Sequence, residues 1–533
     1  MATRPILDPP AGAQAPDPNQ LAGAALAAWE QGAFAPVYER HFRGRDDIDW
    51  ITLRHLLFVE ILSPAAIAAG IARHHGPAAA PLPLAREFER ASWQHVAGQS
   101  PPAAAAEADR GKRRHLRRRR LWRAARGLAS LRRGGQVPGV IVTQASLDGQ
   151  GDPNWGPLLA SPELGDWLRV DFSYTGPGRA DRSPRLTWDT LLLAAMIRRR
   201  GHIRRTLSAL EADANWQDAI AALVVADVPL GQLCKEAISR HLLAAAGRTM
   251  QANLAAEALW RKVQAPVLAV YRERMPPACQ IARAGRRRGA RVVALQHGDL
   301  VEHLSIDLLP PPPEPWQPAD VNCVFGTRYR DLLVDQGVYT PDQLAVTGTA
   351  WHHGRAMPKR DPKGPLLVLS TTFRSSACRH LYHTRVAGAL AGWPQGSYVV
   401  KLHPMESAYI PTSGLYPAGT KCLLGRQTLN EALDGCSAVV GSTTFAVMES
   451  AMLGFPAVTV ALPGESLPAR PELNPLLTRV TGPAGPLSEA LAAACRLADG
   501  DLAPARAAMQ EYLAADPAGQ NLLGVLAPSS RPR

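Results

Sequence analysis

The chain has 533 residues, too many for one hydrophobic core, and its 46% hydrophobic and 20% charged residues are typical of an ordinary folded protein. The formal net charge of +13 favours anionic partners, such as nucleotides, nucleic acid, acidic glycans or anionic lipids. Because the seven cysteines include no close ligand pair, neither a zinc site nor a disulfide framework is predicted, and a reducing cytoplasm fits best.

The first 110 residues predict an extension that is partly disordered and partly helical. Residues 1–20 are rich in Pro and Ala, and helical periodicity follows as far as residue 75. The amino terminus lacks the basic-then-apolar layout of a secretory signal, and no uninterrupted apolar span of roughly 18 residues is evident. We therefore expect a cytoplasmic chain that is at most peripheral on a membrane.

Residues 111–135 interleave arginines with leucines and a tryptophan, which predicts a basic amphipathic helix. Such a helix either lies on an anionic membrane surface, here the inner face of the membrane, or is a solvent-exposed basic helix that precedes the first domain. No nucleic-acid-binding motif or aromatic stacking platform accompanies it, so we expect no specific nucleic-acid partner.

From residue 136, short apolar strands alternate with helices, which is the pattern of a parallel α/β sheet. We predict a first Rossmann-like domain over 136–350, a linker over 351–365 and a second Rossmann-like domain over 366–525. The clearest unit of the first domain has predicted strands Val267–Val270 and Arg291–Leu295. Two such domains in succession predict a cleft between them, where ligands bind.

Polar residues end the predicted strand "YVVKLHP" of the second domain. Period-two alternation places Lys401 and His403 on one side, and Pro404 stops the strand at its carboxyl end. His403 is a candidate hydrogen-bond donor to a phosphate, and Lys401 is a candidate source of positive charge. The alternative is an ordinary packed or surface histidine.

The next strand and helix, "SAVVGSTTFAVMES", carry the other candidate phosphate ligands. Ser442, Thr443 and Thr444 stand where a helix should begin, so they supply hydroxyl and amide donors at a helix amino terminus. Glu449 lies seven residues after Ser442, about two helical turns on, where a carboxylate can accept both hydroxyls of a ribose. The alternative is an ordinary capped helix with one exposed glutamate.

Together, "KLHP" and "GSTTFAVMESAMLGFPAV" resemble the His-Pro and Ser/Thr motifs of bacterial GT-B-fold glycosyltransferases of surface and capsular polysaccharide biosynthesis. These include sialyl- and Kdo-transferases that use CMP-sugars and, more distantly, CDP-glycerol glycerophosphotransferases. "RVVALQHGD" resembles the Gln-His-Gly segment near the end of the amino-terminal domain in several such proteins. The resemblance extends over residues 260–470.

The resemblance implies a GT-B-like α/β fold, with two Rossmann-like domains facing a cleft and an N-terminal helical extension. It places the donor nucleotide in the second domain, with His403, Ser442 and Thr443 near its phosphates and Glu449 near its ribose. The acceptor then lies against the first domain. The further cleft residues that we predict are Gln296, Gly298, Gly348 and Thr372.

Inverting transfer needs a general base for the acceptor hydroxyl, and the sequence leaves several candidates. Asp148 follows the first strand of the first domain and precedes a glycine, as does the acidic residue of the Asp/Glu-Gly motif in CMP-sialic-acid-using enzymes. The other candidates are His297, Asp299 and Glu273. We expect no metal, because the basic side chains and the helix amino terminus can balance the phosphate charge and no convincing Asp-x-Asp motif is present.

The sequence thus predicts a glycosyltransferase whose substrates are a nucleotide sugar, with CMP-linked sugars as the best choice, and a surface or capsular glycan acceptor, without a cofactor. Two other enzyme classes stay open, namely a nucleotide-sugar 2-epimerase of similar architecture and a CDP-glycerol-type glycerophosphotransferase. A non-enzymatic alternative is an inactive GT-B scaffold in a polysaccharide-assembly complex.

Overall fold

The computed structural model of the chain describes residues 18–45, 50–75, 87–97, 135–143, 155–172, 185–271, 273, 277–296, 298, 319–337, 339–349, 357–370, 376–394, 396–403, 415–417, 420–423, 427–442, 444–462, 470–480, 484–514 and 520–527. The predicted basic helix lies outside these residues except for Gly135. The candidate site residues that also lie outside them are Asp148, His297, Asp299, Thr372, Pro404 and Thr443.

Helices make up the described part of the N-terminal extension, as predicted. Their bounds are α1 (Pro18–Gln31), α2 (Ala35–His41), α3 (Trp50–Leu57), α4 (Ser63–His75) and α5 (Glu87–Ala97). A π-helical turn joins α3 to α4. Trp29, Phe34 and Trp50 pack on one another with ring centroids 4.1 to 5.9 Å apart, so aromatic rings fill the centre of this unit.

One apolar helical stretch differs from the expectation that no such span exists. Among the described residues, Thr52–Arg73 is long and apolar enough to cross a membrane by length and composition. Of its apolar window, 78% is buried inside the protein, as in a core helix. Ile67 and Ile71 on this stretch pack against Leu381 and Tyr382 of the second domain, which explains why the helix is so apolar.

The first domain contains a parallel seven-stranded sheet. Its strands are β2 (Val140–Thr143), β3 (Leu168–Asp171), β4 (Arg185–Thr187), β6 (Val267–Tyr271), β7 (Arg291–Leu295), β8 (Val321–Val324) and β9 (Leu344–Val346). A separate parallel pair is formed by β1 (Gly135–Gln136) and β5 (Val263–Gln264). The helices of this region are α6 (Trp188–Glu211), α7 (Ala214–Ala221), α8 (Leu230–Trp260), α9 (Ala278–Arg287) and α10 (Thr327–Asp335).

The second domain contains a parallel six-stranded sheet. Its strands are β10 (Leu366–Leu369), β11 (Tyr398–Lys401), β12 (Cys422–Leu423), β13 (Ala438–Gly441), β14 (Ala457–Val460) and β15 (Leu477–Val480). The remaining helices are α11 (Ser376–Leu390), α12 (Leu429–Leu433), α13 (Phe445–Met452), α14 (Ala484–Arg496), α15 (Ala503–Met509) and α16 (Gln520–Leu526). Two parallel α/β sheets with an N-terminal helical extension confirm the predicted fold class of two Rossmann-like domains.

Both sheets reverse their strand order at one point. The first has the order β4-β3-β2-β6-β7-β8-β9, so the chain turns back between β2 and β6. The second has the order β12-β11-β10-β13-β14-β15, so the chain turns back between β10 and β13. In open parallel sheets, ligands bind outside the carboxyl ends of the strands at such a switch point. The topology therefore gives each domain one expected binding position.

Helix α16, which follows the second domain in the chain, packs on the first domain. Leu522 and Leu526 of α16 lie in the same hydrophobic cluster as Trp155 and Leu164, and Arg291 donates a hydrogen bond to the carbonyl of Val525 at 2.9 Å. The predicted second-domain range of 366–525 thus ends in a helix that packs on the first sheet. Sequence periodicity reports that this helix is apolar on one side but not which sheet it covers.

Candidate active site

Two serines stand at the switch point of the second sheet. Ser370 follows β10 and Ser442 follows β13, which are neighbouring strands. The Tyr382 hydroxyl donates to the carbonyls of Leu369 at 2.9 Å and Val440 at 3.3 Å, and so ties the two strand ends together. The Ser442 side chain is fully buried, and its hydroxyl has no hydrogen-bond partner among the described residues. Because buried hydroxyls are normally paired, this atom has an unused hydrogen bond to offer at the strand end.

The turn that follows Ser442 brings the helix start close to the strand end. A Cβ at Gly441 would overlap the side chain of Val447, so only glycine lets α13 pack this closely. The amide of Thr444 donates to the carbonyl of Ser442 at 2.8 Å, and the Thr444 hydroxyl accepts from the amide of Ala446 at 3.3 Å. Thr444 is thus the cap of α13, in agreement with the residue types seen at helix starts.

Lys401 and His403 stand at the end of β11, which is separated from β13 and this turn by β10. Leu402 between them is fully buried, whereas both polar side chains are partly exposed. The amide of Ser370 donates to the carbonyl of Lys401 at 2.9 Å, which joins the ends of β10 and β11. Burial, with a smaller contribution from the Lys401 charge, lowers the pKa of His403 to about 4. His403 is therefore a neutral hydrogen-bonding group near pH 7, and Lys401 supplies the charge.

A buried histidine links Ser370 to a tyrosine. The Nε2 of His383 lies 3.4 Å from the Ser370 hydroxyl, and its Nδ1 lies 3.0 Å from the Tyr416 hydroxyl. The His383 side chain is fully buried, and this burial, together with the charges of Arg379 and His380, lowers its pKa to about 3. Neither Ser370 nor His383 was among the sequence candidates. The position of Ser370 directly after the apolar run "LLVL" was the one available signal.

The low pKa of His383 predicts a specific loss of stability in acid. Below pH 6.5 the unfolded chain protonates this histidine while the folded protein does not until about pH 3, so the free energy of unfolding falls as the pH falls. The expected slope from this group is about 1.4 kcal/mol per pH unit. Urea unfolding at pH 5.5 and 4.5 should show that His383→Gln is less acid-sensitive than the wild type by this amount. An unchanged slope would mean that the buried imidazole becomes protonated in the folded state.

Glu449 occupies a different position from the one that its spacing suggested. Because α13 begins at Phe445, Ser442 lies outside the helix, and the seven-residue spacing does not run along one helical face. Glu449 lies in the second turn of α13 and is partly exposed. Its contact with a ribose stays a prediction.

Glu273 stands at the switch point of the first sheet. It follows β6 by two residues, and its side chain is only 4% exposed. Asp148, which follows the neighbouring strand β2, lies outside the described residues. Of the general-base candidates, Glu273 is therefore the one whose position is known, at the expected binding edge of its sheet.

Gln296 bridges the ends of β7 and β8. Its backbone amide donates to the carbonyl of Cys323 at 2.9 Å, and its side-chain oxygen accepts from the backbone amide of Phe325 at 2.9 Å. The side-chain nitrogen donates to the carbonyl of Gly298 at 2.8 Å. These bonds fix Gln296 and Gly298 relative to the ends of β7 and β8. Gln296 thus shapes the polar turn. Both polar atoms of its buried side chain form hydrogen bonds with backbone groups.

The polar turn after β7 meets the start of α13. A Cβ built on Gly298 would lie 3.7 Å from the Cβ of Phe445, and Gly298 has a φ of +90°, which favours glycine. The rings of Phe325 and Phe445 pack with centroids 5.4 Å apart. The carboxyl edge of the first sheet therefore faces the turn that contains Ser442. This facing arrangement is the one described by the GT-B-like prediction.

Gly348 lies in the loop after β9, where the first domain ends. Its φ of +71° is in the left-handed region, so glycine permits the turn. Thr347 and Thr349 on either side are buried. Within the described ranges, no group of three or more His, Cys, Asp or Glu side chains is placed to hold a metal ion.

No protein-family model matches the chain, and no curated protein matches it. Among solved structures, it is similar to the glycotransferase of kitacinnamycin, with 10% identity, a TM-score of 0.39, and coverage of 74% of this chain and 98% of that one. It is also similar to a putative UDP-N-acetylglucosamine 2-epimerase from Listeria monocytogenes, with 10% identity, a TM-score of 0.39, and coverage of 73% and 94%.

A third similar structure is a trehalose 6-phosphate synthase from Burkholderia multivorans, with 14% identity, a TM-score of 0.36, and coverage of 74% of this chain and 97% of that one. At these identities and TM-scores, the similar structures do not indicate the substrate or the reaction of this chain. The fold assignment follows from the order and direction of the strands in the two sheets.

Proposed function

We propose that this protein is a glycosyltransferase that moves a sugar from a nucleotide-activated donor to a surface or capsular glycan, with inversion and without a metal. The observation that carries the proposal is the fully buried Ser442 hydroxyl, which lacks a partner among the described residues at the switch point of the second sheet. The turn that contains Ser442 leads to Phe445 at the start of α13, and Phe445 lies beside Gly298 of the first domain. A polar ligand held there is within reach of both domains.

The second domain offers a set of donors that suits a phosphate. Ser442 and the amino terminus of α13 supply hydrogen bonds, neutral His403 adds one more, and Lys401 adds a charge. Each of these groups stabilises negative charge as it develops on the departing phosphate, so the site favours the transition state over the bound donor. The preference for CMP-linked donors rests on the sequence resemblance.

His383 and Tyr416 are positioning residues for Ser370 in this proposal. A neutral imidazole has one protonated and one bare ring nitrogen. With the proton on Nε2, His383 donates to the Ser370 oxygen and accepts from the Tyr416 hydroxyl through Nδ1. The Ser370 hydroxyl then directs its own proton to the phosphate. Binding of an anion at the switch point selects this tautomer.

Glu273 is the general base in this proposal. As the acceptor oxygen attacks the anomeric carbon, the bond from that carbon to the phosphate oxygen breaks, and the electron pair leaves with the phosphate. The acceptor proton passes to the Glu273 carboxylate. The supporting observations are its place at the switch point of the first sheet and its burial, which limits competition from water.

Nucleotide binding tests the donor site. Calorimetric titration with CMP-, CDP- and UDP-linked sugars should show binding of one class, with Ser442→Ala weakening it by roughly 10- to 100-fold, the range for a lost hydrogen bond to a charged group. The matched control is Ser397→Ala at the amino end of β11, where the hydroxyl donates to the carbonyl of Pro394 and faces away from the site. Failure of every nucleotide to bind would leave the inactive scaffold as the better explanation.

Product analysis separates the enzyme classes. With donor and acceptor glycan present, the proposal requires a new glycosidic bond and release of the nucleotide. Formation of an epimer from the donor alone would reject transfer in favour of a 2-epimerase, and incorporation of glycerol phosphate would favour the glycerophosphotransferase.

Cytoplasmic placement, with peripheral contact of 111–135 on the inner membrane face, is part of the same proposal. It rests on the composition of that segment, which lies outside the described residues. Liposome flotation after charge reversal of 113–126 tests it.

A further inference from the structure

Helix α6 of the first domain exposes two large apolar side chains next to one another. The Ile197 side chain is 69% exposed and that of Met196 is 41% exposed. Other positions of the helix are buried: Leu191 and Ala195 pack into the core that covers the first sheet, and Ile203 packs into the core shared with the N-terminal extension. The helix is thus held firmly from inside while its outer face presents Ile197.

Four arginines lie on the same stretch of this helix. They are Arg199, Arg200, Arg204 and Arg205, and all four are exposed. None of them forms an ion pair with another described residue. The sequence contains no acidic residue between Asp189 and Glu211, so α6 itself supplies no counter-charge along five turns. Four positive charges on one helix, without an ion-pair partner in the described part of the chain, favour an anionic partner.

The spacing places charge and apolar surface on one stripe. Residues three and four apart share a helix face, so Ile197, Arg200 and Arg204 follow one another along the outward side, with Met196 beside them. A surface that combines a protruding aliphatic side chain with guanidinium groups suits a boundary between acyl chains and phosphate headgroups.

We propose that this outer face of α6 docks the protein on an anionic lipid surface. The arginines bind the phosphate groups of the lipids, and Ile197 and Met196 enter the acyl boundary between them. The site is distinct from the predicted segment at 111–135 and from the nucleotide site, and the proposal is independent of the proposed function.

Other occupants of this face suit it less well. A second copy of the chain would bring the same arginines together across a two-fold axis, and two apolar side chains fall far short of the area that a stable dimer buries. Segment 111–135 carries arginines of its own, so charge repulsion opposes its docking here. RNA would satisfy the arginines but would leave Ile197 unused, since no aromatic side chain stands on this face to stack a base.

Vesicle binding by the full-length protein tests the proposal. Co-sedimentation with phosphatidylcholine vesicles that contain about a third phosphatidylglycerol should exceed that with pure phosphatidylcholine and should fall with salt. The quadruple variant Arg199→Gln/Arg200→Gln/Arg204→Gln/Arg205→Gln should weaken binding roughly 100- to 1,000-fold, and Met196→Ser/Ile197→Ser about 10-fold. Unchanged thermal unfolding of each variant shows that the fold is intact.

Matched controls remove the same number of apolar side chains or positive charges at other exposed positions of the protein. The apolar control is Val224→Ser/Leu233→Ser, which removes two side chains that are 49% and 48% exposed elsewhere on the domain. The charge control replaces four exposed basic residues of the linker and second domain by glutamine, namely Lys359, Lys363, Lys421 and Arg496. Both controls should retain wild-type vesicle binding.

Three results would overturn the proposal. In the first, the α6 variants bind vesicles like the wild type while charge reversal of 113–126 abolishes binding. In the second, the arginine variant loses affinity for single-stranded RNA and vesicle binding is unaffected, which would assign the face to nucleic acid. In the third, the Met196→Ser/Ile197→Ser variant changes the sedimentation of the protein alone, which would assign the face to self-association.

Discussion

Glu273→Gln should lower kcat of sugar transfer by about 10²- to 10⁴-fold, the range that general-base catalysis contributes, while the affinity for the donor nucleotide changes by less than about twofold. The glutamine preserves the size of the side chain and its ability to accept hydrogen bonds, but it takes no proton near pH 7. Since Glu273 belongs to the first domain and the proposed nucleotide site to the second, loss of the proposed base should leave donor binding intact. Steady-state kinetics and calorimetry on the same preparation measure both quantities.

The three rival candidates provide the comparison. Asp148→Asn, His297→Gln and Asp299→Asn should each retain more activity than Glu273→Gln, because each of these three variants keeps the proposed general base, Glu273. The assignment is wrong if one of these loses kcat with donor binding intact while Glu273→Gln stays active. Thermal unfolding distinguishes a catalytic role of Glu273 from a purely structural one. If Glu273 only supports its loop, Glu273→Gln would lower both the stability and the nucleotide affinity.

The strand ends were predictable from the sequence because each is a local pattern. Apolar runs of four or five residues closed by polar ones identified β7 at Arg291–Leu295 and most of β6, as well as the strands that lead to Lys401 and Ser442. The same local pattern predicted a helix cap among Ser442, Thr443 and Thr444, and in the structure the cap is Thr444. Local patterns suffice for these features because a strand or a helix cap is decided by a few neighbouring residues.

The convergence of residues from distant strands was not predictable in the same way. That β10 lies between β11 and β13 depends on the order of strands, and no periodicity records that order. For the same reason Ser370 and His383 were missed: one is a single serine after an apolar run, and the other is one of several polar residues on the same helix. The polar cluster after β7 shows the limit most clearly, because Gln296 proved to be committed to bonds with Phe325 and Gly298.

The N-terminal extension contains a buried ion pair whose disruption should have the largest effect on stability. The Nε of Arg54 donates to the two carboxylate oxygens of Glu30 at 2.7 and 2.9 Å, and the Trp50 indole donates to the same carboxylate at 2.7 Å. Both charged side chains are 5% exposed. Burial raises the pKa of Glu30 although Arg54 opposes the shift, so the attraction between the pair does not fully offset the cost of removing the carboxylate from water.

Glu30→Ala should therefore lower the free energy of opening of α1 and α3 by about 3–5 kcal/mol, because it leaves the Arg54 charge buried without its partner. Hydrogen exchange of the backbone amides in these helices measures this opening directly, which matters in a chain with several domains that need not unfold together. Glu39→Ala is the matched control, since the Glu39–Arg43 pair is exposed on both sides and should contribute less than about 1 kcal/mol.

The double variant Glu30→Met/Arg54→Met should recover most of the loss, because two apolar side chains of similar length avoid the cost of burying either charge. A double variant as unstable as Glu30→Ala would instead show that the hydrogen bond from Trp50 to the carboxylate is what holds α1 against α3. The result extends to the nucleotide site. Ile67 and Ile71 of α4 pack against Leu381 on α11, the helix that carries His383, so an extension that opens more often should also weaken nucleotide binding.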